Sequence, residues 1–223
     1  MAMTSAVRSA PAAVIVPSIV LVGVGWVVLA VTRDHAAIGS FALMWIAMAV
    51  AMMIPTTVRP MLRASDGSAP RAWAFLGGFL LIWFAAGVPA YLVMNAITWT
   101  PFWIAVAWIA AGLYQVMPVM HRLVRSCSSV PYEGSPGRYG VRQGVRCVAS
   151  CSPVMLAAMV TAMVLPGFAL PVLLLLALTV LLCWERTPAA THQAMVAVGM
   201  GMIMLAVVGV MLLGGGAGHV HGG

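Results

Sequence analysis

Long apolar runs separated by short polar gaps fill this chain. Seven runs reach the roughly 20 mostly apolar residues that a helix needs to cross about 30 Å of hydrocarbon. They are approximately Ala12–Val31, Ile38–Val58, Ala72–Met94, Trp99–Met120, Val145–Leu165, Phe168–Trp184 and Gln193–Leu213, the sixth being the shortest. In lipid each segment must satisfy its own backbone, so the runs predict helices and not strands. Pro166-Gly167 marks a tight turn between the fifth and sixth runs. Trp99 and Trp103 suit a membrane-water interface after the third run. The expected fold class is therefore all-α, a single polytopic transmembrane bundle of about seven spans. A segment of about 121–144 forms its longest polar loop, and the Gly/His tail 214–223 ends it. The first run of about 19 residues exceeds the usual signal-peptide core of roughly 7–15, which favours a retained helix. Cleavage there leaves six spans.

Composition agrees with lipid as the solvent: 63% of residues are hydrophobic and 7% are charged, against roughly a quarter charged in soluble domains. The net charge of +7 does not point to nucleic acid, because the basic residues sit in the gaps between apolar runs. With the N-terminus inside, Arg8, Arg59, Arg63, Arg71, Arg122, Arg125, Arg138, Arg142, Arg146 and Arg186 fall on the inner side and Arg33 outside. That partition predicts a cytoplasmic (inner) membrane protein with an external C-terminus.

On this topology all four cysteines lie near the inner face: Cys127 in the basic loop, Cys147 and Cys151 one turn apart on the fifth run, and Cys183 at the end of the sixth. The i, i+4 spacing puts Cys147 and Cys151 on one helix face. Thiolates are soft ligands suited to Cu(I), Zn(II) or iron-sulfur sites, while a lone membrane cysteine is more often packing. His121 and His192 share the same depth and read chiefly as interfacial residues.

Eighteen methionines extend the sulfur pattern. Met44, Met48 and Met52 recur every four residues on the second run. On the fifth, Cys147, Cys151, Met155, Met159 and Met163 span about 24 Å at 1.5 Å per residue. Steps of four drift by roughly 40° each, so the ladder needs partners such as Met44–Met52 or Met200 and Met204. Methionine also fills gaps between helices without any metal. The candidate metal ligands are Cys147, Cys151, Met155, Met48, Met52, Met44 and Cys127.

Gln115, inside the fourth run, is expected to bond a neighbouring helix. Glu185-Arg186 reads as a surface pair or helix-end anchor. No acidic residue lies deep in a run, against a carboxylate-relay pump. Gly77-Gly78, Gly199 and Gly201 suit close helix packing. His219 and His221 in the tail offer a weak external metal pair. No catalytic motif is present.

The stretch Met44-Trp45-Ile-Ala-Met48-Ala-Val-Ala-Met52-Met53-Ile-Pro55, followed by Tyr114-Gln115, Pro118, Cys127, Gly140-x3-Gly144-x2-Cys147-x3-Cys151-x3-Met155 and Glu185-Arg186, resembles a bacterial family. That family is described as predicted metal-binding integral membrane proteins, a domain of unknown function. The resemblance spans about Ile38 to Met204. It implies metal binding and no enzymatic activity. Family members tend to carry a further Cys where this chain has Ser150. Three functions stay open. One is a soft-metal (copper) protein for transport, delivery or storage, with a metallochaperone or metalloenzyme as partner besides the lipid bilayer and no nucleic acid. The others are a membrane thiol-redox carrier on Cys147 and Cys151, and a metal-free scaffold or accessory subunit.

Overall fold

The computed structural model describes the backbone of residues 12–31, 37–129, 132, 134–164, 169–187 and 190–215, and side chains over most of that range. Every regular element in it is helical. The helices are α1 (Ala12–Val31), α2 (Ile38–Met48), a π-helical turn (Ala49–Met53), α3 (Ile54–Ser65), α4 (Ala69–Ala96), α5 (Pro101–Val116), α6 (Pro118–Ser129), α7 (Pro136–Val164), α8 (Ala169–Glu185) and α9 (His192–Gly215).

The expectation of about seven spans is corrected. Among the described residues three helices are long and apolar enough to cross a membrane: Ile38–Ser65, Ala69–Ala96 and Pro136–Ala162. A fourth is gained if Pro101–Val116 and Pro118–Ser126, bent by 72° at the break, count as one span. The apolar stretches Val14–Leu29, Leu170–Glu185 and His192–Val208 cover no more than 17 described residues each. At 1.5 Å per residue the 17 residues of α8 reach about 25 Å, short of a roughly 30 Å hydrocarbon core. The bend follows from Pro118, which cannot extend the hydrogen-bond ladder of α5.

The apolar helices fit a multi-pass membrane arrangement. Large side chains such as Val20, Val27, Leu81, Phe84, Val180 and Leu205 are exposed on the outside, an apolar exterior that water does not favour. Inside, Phe41, Trp45, Phe79 and Trp83 pack with Met44, Met48, Met52, Met53, Met155 and Met159 in one core. Trp45 Nε1 donates to the Trp83 carbonyl at 2.7 Å. A Cβ on Gly87 would stand 2.8 Å from Trp45 Cδ1, so that glycine makes room for the indole.

Glycine also sets the two closest helix pairs. Gly78 of α4 faces the Gly137 carbonyl, and Gly140 and Gly144 of α7 face the Phe75 and Phe79 carbonyls. Backbone meets backbone there, as in small-xxx-small membrane packing. In the second pair, Gly112 of α5 lies against Gly199 of α9: a Cβ on either would approach the other's carbonyl oxygen to 2.6 or 2.7 Å. Gly77 and Gly201, expected to share this role, have nothing within 4 Å.

The contrast between neighbours is testable. Gly140→Val is expected to destabilise the protein by about 2 kcal/mol or more, because the helices must separate. Gly77→Ala should leave it unchanged or raise it by up to about 1 kcal/mol through helix propensity. Thermal melts of the detergent-purified variants read both; equal melting points would remove the packing argument.

Candidate metal centre

The second helix of the bundle does not run straight through its methionines. Pro55 lacks an N–H, and the ladder opens into the π turn Ala49–Met53 just before it. A π turn inserts one residue and rotates all that follows by roughly 100° relative to an α-helix. Met44, Met48 and Met52 are buried in the core. The rotated position, Met53, is the one whose sulfur meets a thiol: its Sδ lies 3.6 Å from Cys147 Sγ.

The α7 glycines bring that thiol into place. Gly144 seats the start of α7 on α4 less than one turn before Cys147. Cys147 and Cys151 are both buried, at 0% and 2% exposure. Arg186, just past the end of α8, points one guanidinium nitrogen at both: Nη2 is 3.0 Å from Cys147 Sγ and 3.5 Å from Cys151 Sγ. Ser150 Oγ donates to the Cys147 carbonyl at 3.0 Å and lies 3.4 Å from Cys151 Sγ. A hydroxyl thus stands beside the Cys151 sulfur.

Behind this group is a buried polar pair. Gln115 Nε2 of α5 donates to Glu185 Oε1 at the end of α8. The interhelical bond expected of Gln115 is present, but its partner is a carboxyl that is 4% exposed, not the surface anchor read from sequence. Burial pushes the Glu185 carboxyl up to about 8; nearby Cys151 adds to the rise and Arg186 opposes it. At neutral pH the acid is therefore mostly protonated, and it does not compete with the sulfurs for the charge of Arg186. On its other side Arg186 lines a cavity of about 310 Å³ with Arg59, Arg63, Cys183 and Pro55.

The other expected ligands are dispersed. Met155 is buried one turn beyond Cys151 on α7. Met48 and Met52 lie in the same core, with no contact to either thiol among those described. Met44 is buried beside Trp45 in the second half of α2. Met200 and Met204, offered as partners for the ladder, are 50% and 62% exposed on α9 and face away from it. Cys127 lies in α6, but its side chain is outside the described residues, as are the side chain of Met163 and the tail histidines His219 and His221. Among the described residues no three His, Cys, Asp or Glu side chains gather around one point. The buried region around Cys147, Cys151 and Met53 is consistent with soft-metal coordination.

Sequence reasoning missed Met53 and Arg186. The Met-Met-Ile-Pro run carried the signal for Met53, because a proline two residues on disturbs the register that a strict four-residue step assumes.

Comparison with known proteins adds one match. The profile of the PpoB2 family, described as copper chaperone, matches residues 42–209. No curated protein and no solved structure matches the chain.

The raised carboxyl fixes the sign of a pH effect. An acid with a higher pKa folded than unfolded binds more protons in the native state, so stability falls as pH rises from the ordinary carboxylate range toward about 8. Glu185→Gln is expected to fold at neutral pH and to flatten that slope, read as melting temperature between pH 5 and 8.5. An identical slope in the variant would assign it to another group.

Proposed function

The chain belongs to the PpoB2 copper chaperone family, and from that premise we propose that it is a helical membrane protein carrying monovalent copper as cargo on Cys147 and Cys151, with Met53 as the third donor. The observation that supports this reading most is the buried Cys147 thiol, with Met53 Sδ at 3.6 Å and an Arg186 nitrogen that also reaches Cys151.

Donor chemistry and geometry agree with such an ion. A metal–sulfur bond of about 2.3 Å puts two sulfurs of a trigonal site roughly 4 Å apart, close to the 3.6 Å between Cys147 Sγ and Met53 Sδ. Soft sulfur selects Cu(I) over hard cations. Two thiolates and one Cu(I) carry a net single negative charge, which the Arg186 guanidinium balances without further ions in a buried place. Loading releases the two thiol protons. In the empty state the same guanidinium nitrogen stays within reach of both thiol sulfurs.

A thioether is a weak third ligand, and that suits a protein whose cargo must leave. Its role in this reading is delivery to a copper-requiring protein, with no bond-making or bond-breaking catalysis of its own. The membrane setting places the exchange at a bilayer.

Cys147→Ser with Cys151→Ser in the full-length protein is expected to abolish the tightest Cu(I) equivalent, measured against a chromophoric Cu(I) chelator under anaerobic conditions. Arg186→Gln should weaken it by about tenfold, as loss of a group supporting the ligands commonly does. Met53→Leu should weaken it while leaving the melting temperature within a few degrees, the swap being nearly volume-conserving. Unchanged tight binding in the double serine variant would sink the assignment. So would reversible formation of a Cys147–Cys151 disulfide in a wild-type protein that takes up no copper.

A further inference from the structure

A second group of soft donors lies on the far side of Tyr114 from the thiols. The Tyr114 hydroxyl donates to the Ala149 carbonyl of α7 at 2.8 Å, while its ring packs on a small cluster of Met120, Val124 and Met195. Above that cluster the 72° bend at Met117 turns α6 back over the start of α9. Two histidines from distant parts of the sequence meet there. His121 is in the first turn of α6 and His192 is the first residue of α9; their ring centroids are 5.1 Å apart, with the planes tilted by 57°. Met195 lies three residues after His192, on the same face of the first turn of α9. Its sulfur is 3.3 Å from His121 Nδ1.

We propose that His121, His192 and Met195 form a second, shallow soft-metal site that binds Cu(I). The proposal is separate from the thiol centre and rests on these three side chains alone. An imidazole nitrogen at about 2.0 Å and a sulfur at about 2.3 Å from one ion stand roughly 3.5 Å apart, near the spacing already present between His121 Nδ1 and Met195 Sδ. Two imidazoles and a thioether suit Cu(I), and the thioether disfavours hard ions such as Mg(II) or Ca(II).

Position and charge distinguish this site from the first. His192 is exposed and His121 half-buried, whereas Met195 is 1% exposed at the floor. An ion therefore has access from outside without the helices parting. All three ligands are neutral when bound, so the loaded site keeps a positive charge, and Arg125 acts electrostatically on His121 from one turn along α6. Both features weaken retention relative to a pair of thiolates. The site fits rapid exchange of copper and the thiol centre fits holding it.

The test uses full-length protein in which all four cysteines are serine and His35, His219 and His221 are glutamine, leaving His121 and His192 as the chain's histidines. This chain is expected to bind one equivalent of Cu(I), with nitrogen in the first coordination shell by X-ray absorption. Adding His121→Gln and His192→Gln should lower the affinity by at least about tenfold, and Met195→Leu should remove the sulfur contribution. Absence of bound copper, or binding that survives the two glutamines, would overturn the proposal. Should the substituted chain not fold, the wild-type background decides: His121→Gln with His192→Gln should reduce two Cu(I) equivalents to one, and retention of both counts against the site. Because Cys147→Ser with Cys151→Ser removes the other equivalent, failure of one site is read apart from failure of the other.

Discussion

Contact between the backbones of α4 and α7 governs where the two buried thiols of α7 sit. Gly78, Gly140 and Gly144 have no Cβ to keep the helices apart, and their partners are main-chain carbonyls. Such a contact tolerates little rotation or sliding, since a residue with a side chain on either face would strike backbone and not a flexible terminus. Cys147 follows Gly144 by three residues and Cys151 by seven. The rotation that seats the glycines on α4 therefore also turns both thiols inward. Helices held instead by leucine and methionine could slip by part of a turn at little cost, because those side chains repack.

The second constraint is electrostatic. Cys147, Cys151, Gln115 and Glu185 are all buried, and Arg186 places a permanent positive charge among them. Burying an isolated cation is costly unless partners accept its hydrogen bonds. Polarizable sulfur is a weak acceptor, so thiols alone hold a guanidinium poorly; thiolates hold it well. A carboxyl raised to about 8 keeps Glu185 mostly neutral at pH 7 and stops it from taking that charge for itself.

Much of the helical content was legible in the apolar runs, and the placement of Cys147 and Cys151 on one face followed from their spacing. The span count was not legible, because a run of apolar residues does not show where a helix breaks. Pro118 bends the fourth segment by 72°, and α8 has 17 residues. Met53 escaped the four-residue step from Met44 to Met52 because the π turn changes the register at Ala49–Met53. Arg186 read as a surface charge because sequence gives depth along a helix but not the direction taken just beyond its end. His121, His192 and Met195 were separately visible, yet only the bend at Met117 brings α6 over α9.

A carrier must bind its cargo tightly enough to exclude water and competing ligands, and loosely enough to give it up. One set of ligands meets both demands poorly, since every added thiolate that improves retention slows release. The sulfur here is graded. On the proposed reading, two thiols would set the strength of the inner centre, one thioether would complete it, and two imidazoles would line a position nearer the surface. Tyr114 touches both, through its hydroxyl to the α7 backbone and its ring to the Met195 cluster. On that reading, a shift of α7 on loading the thiols would reach the floor of the shallow site through Tyr114. The glycine contacts that hold α7 against α4 limit how large that shift becomes.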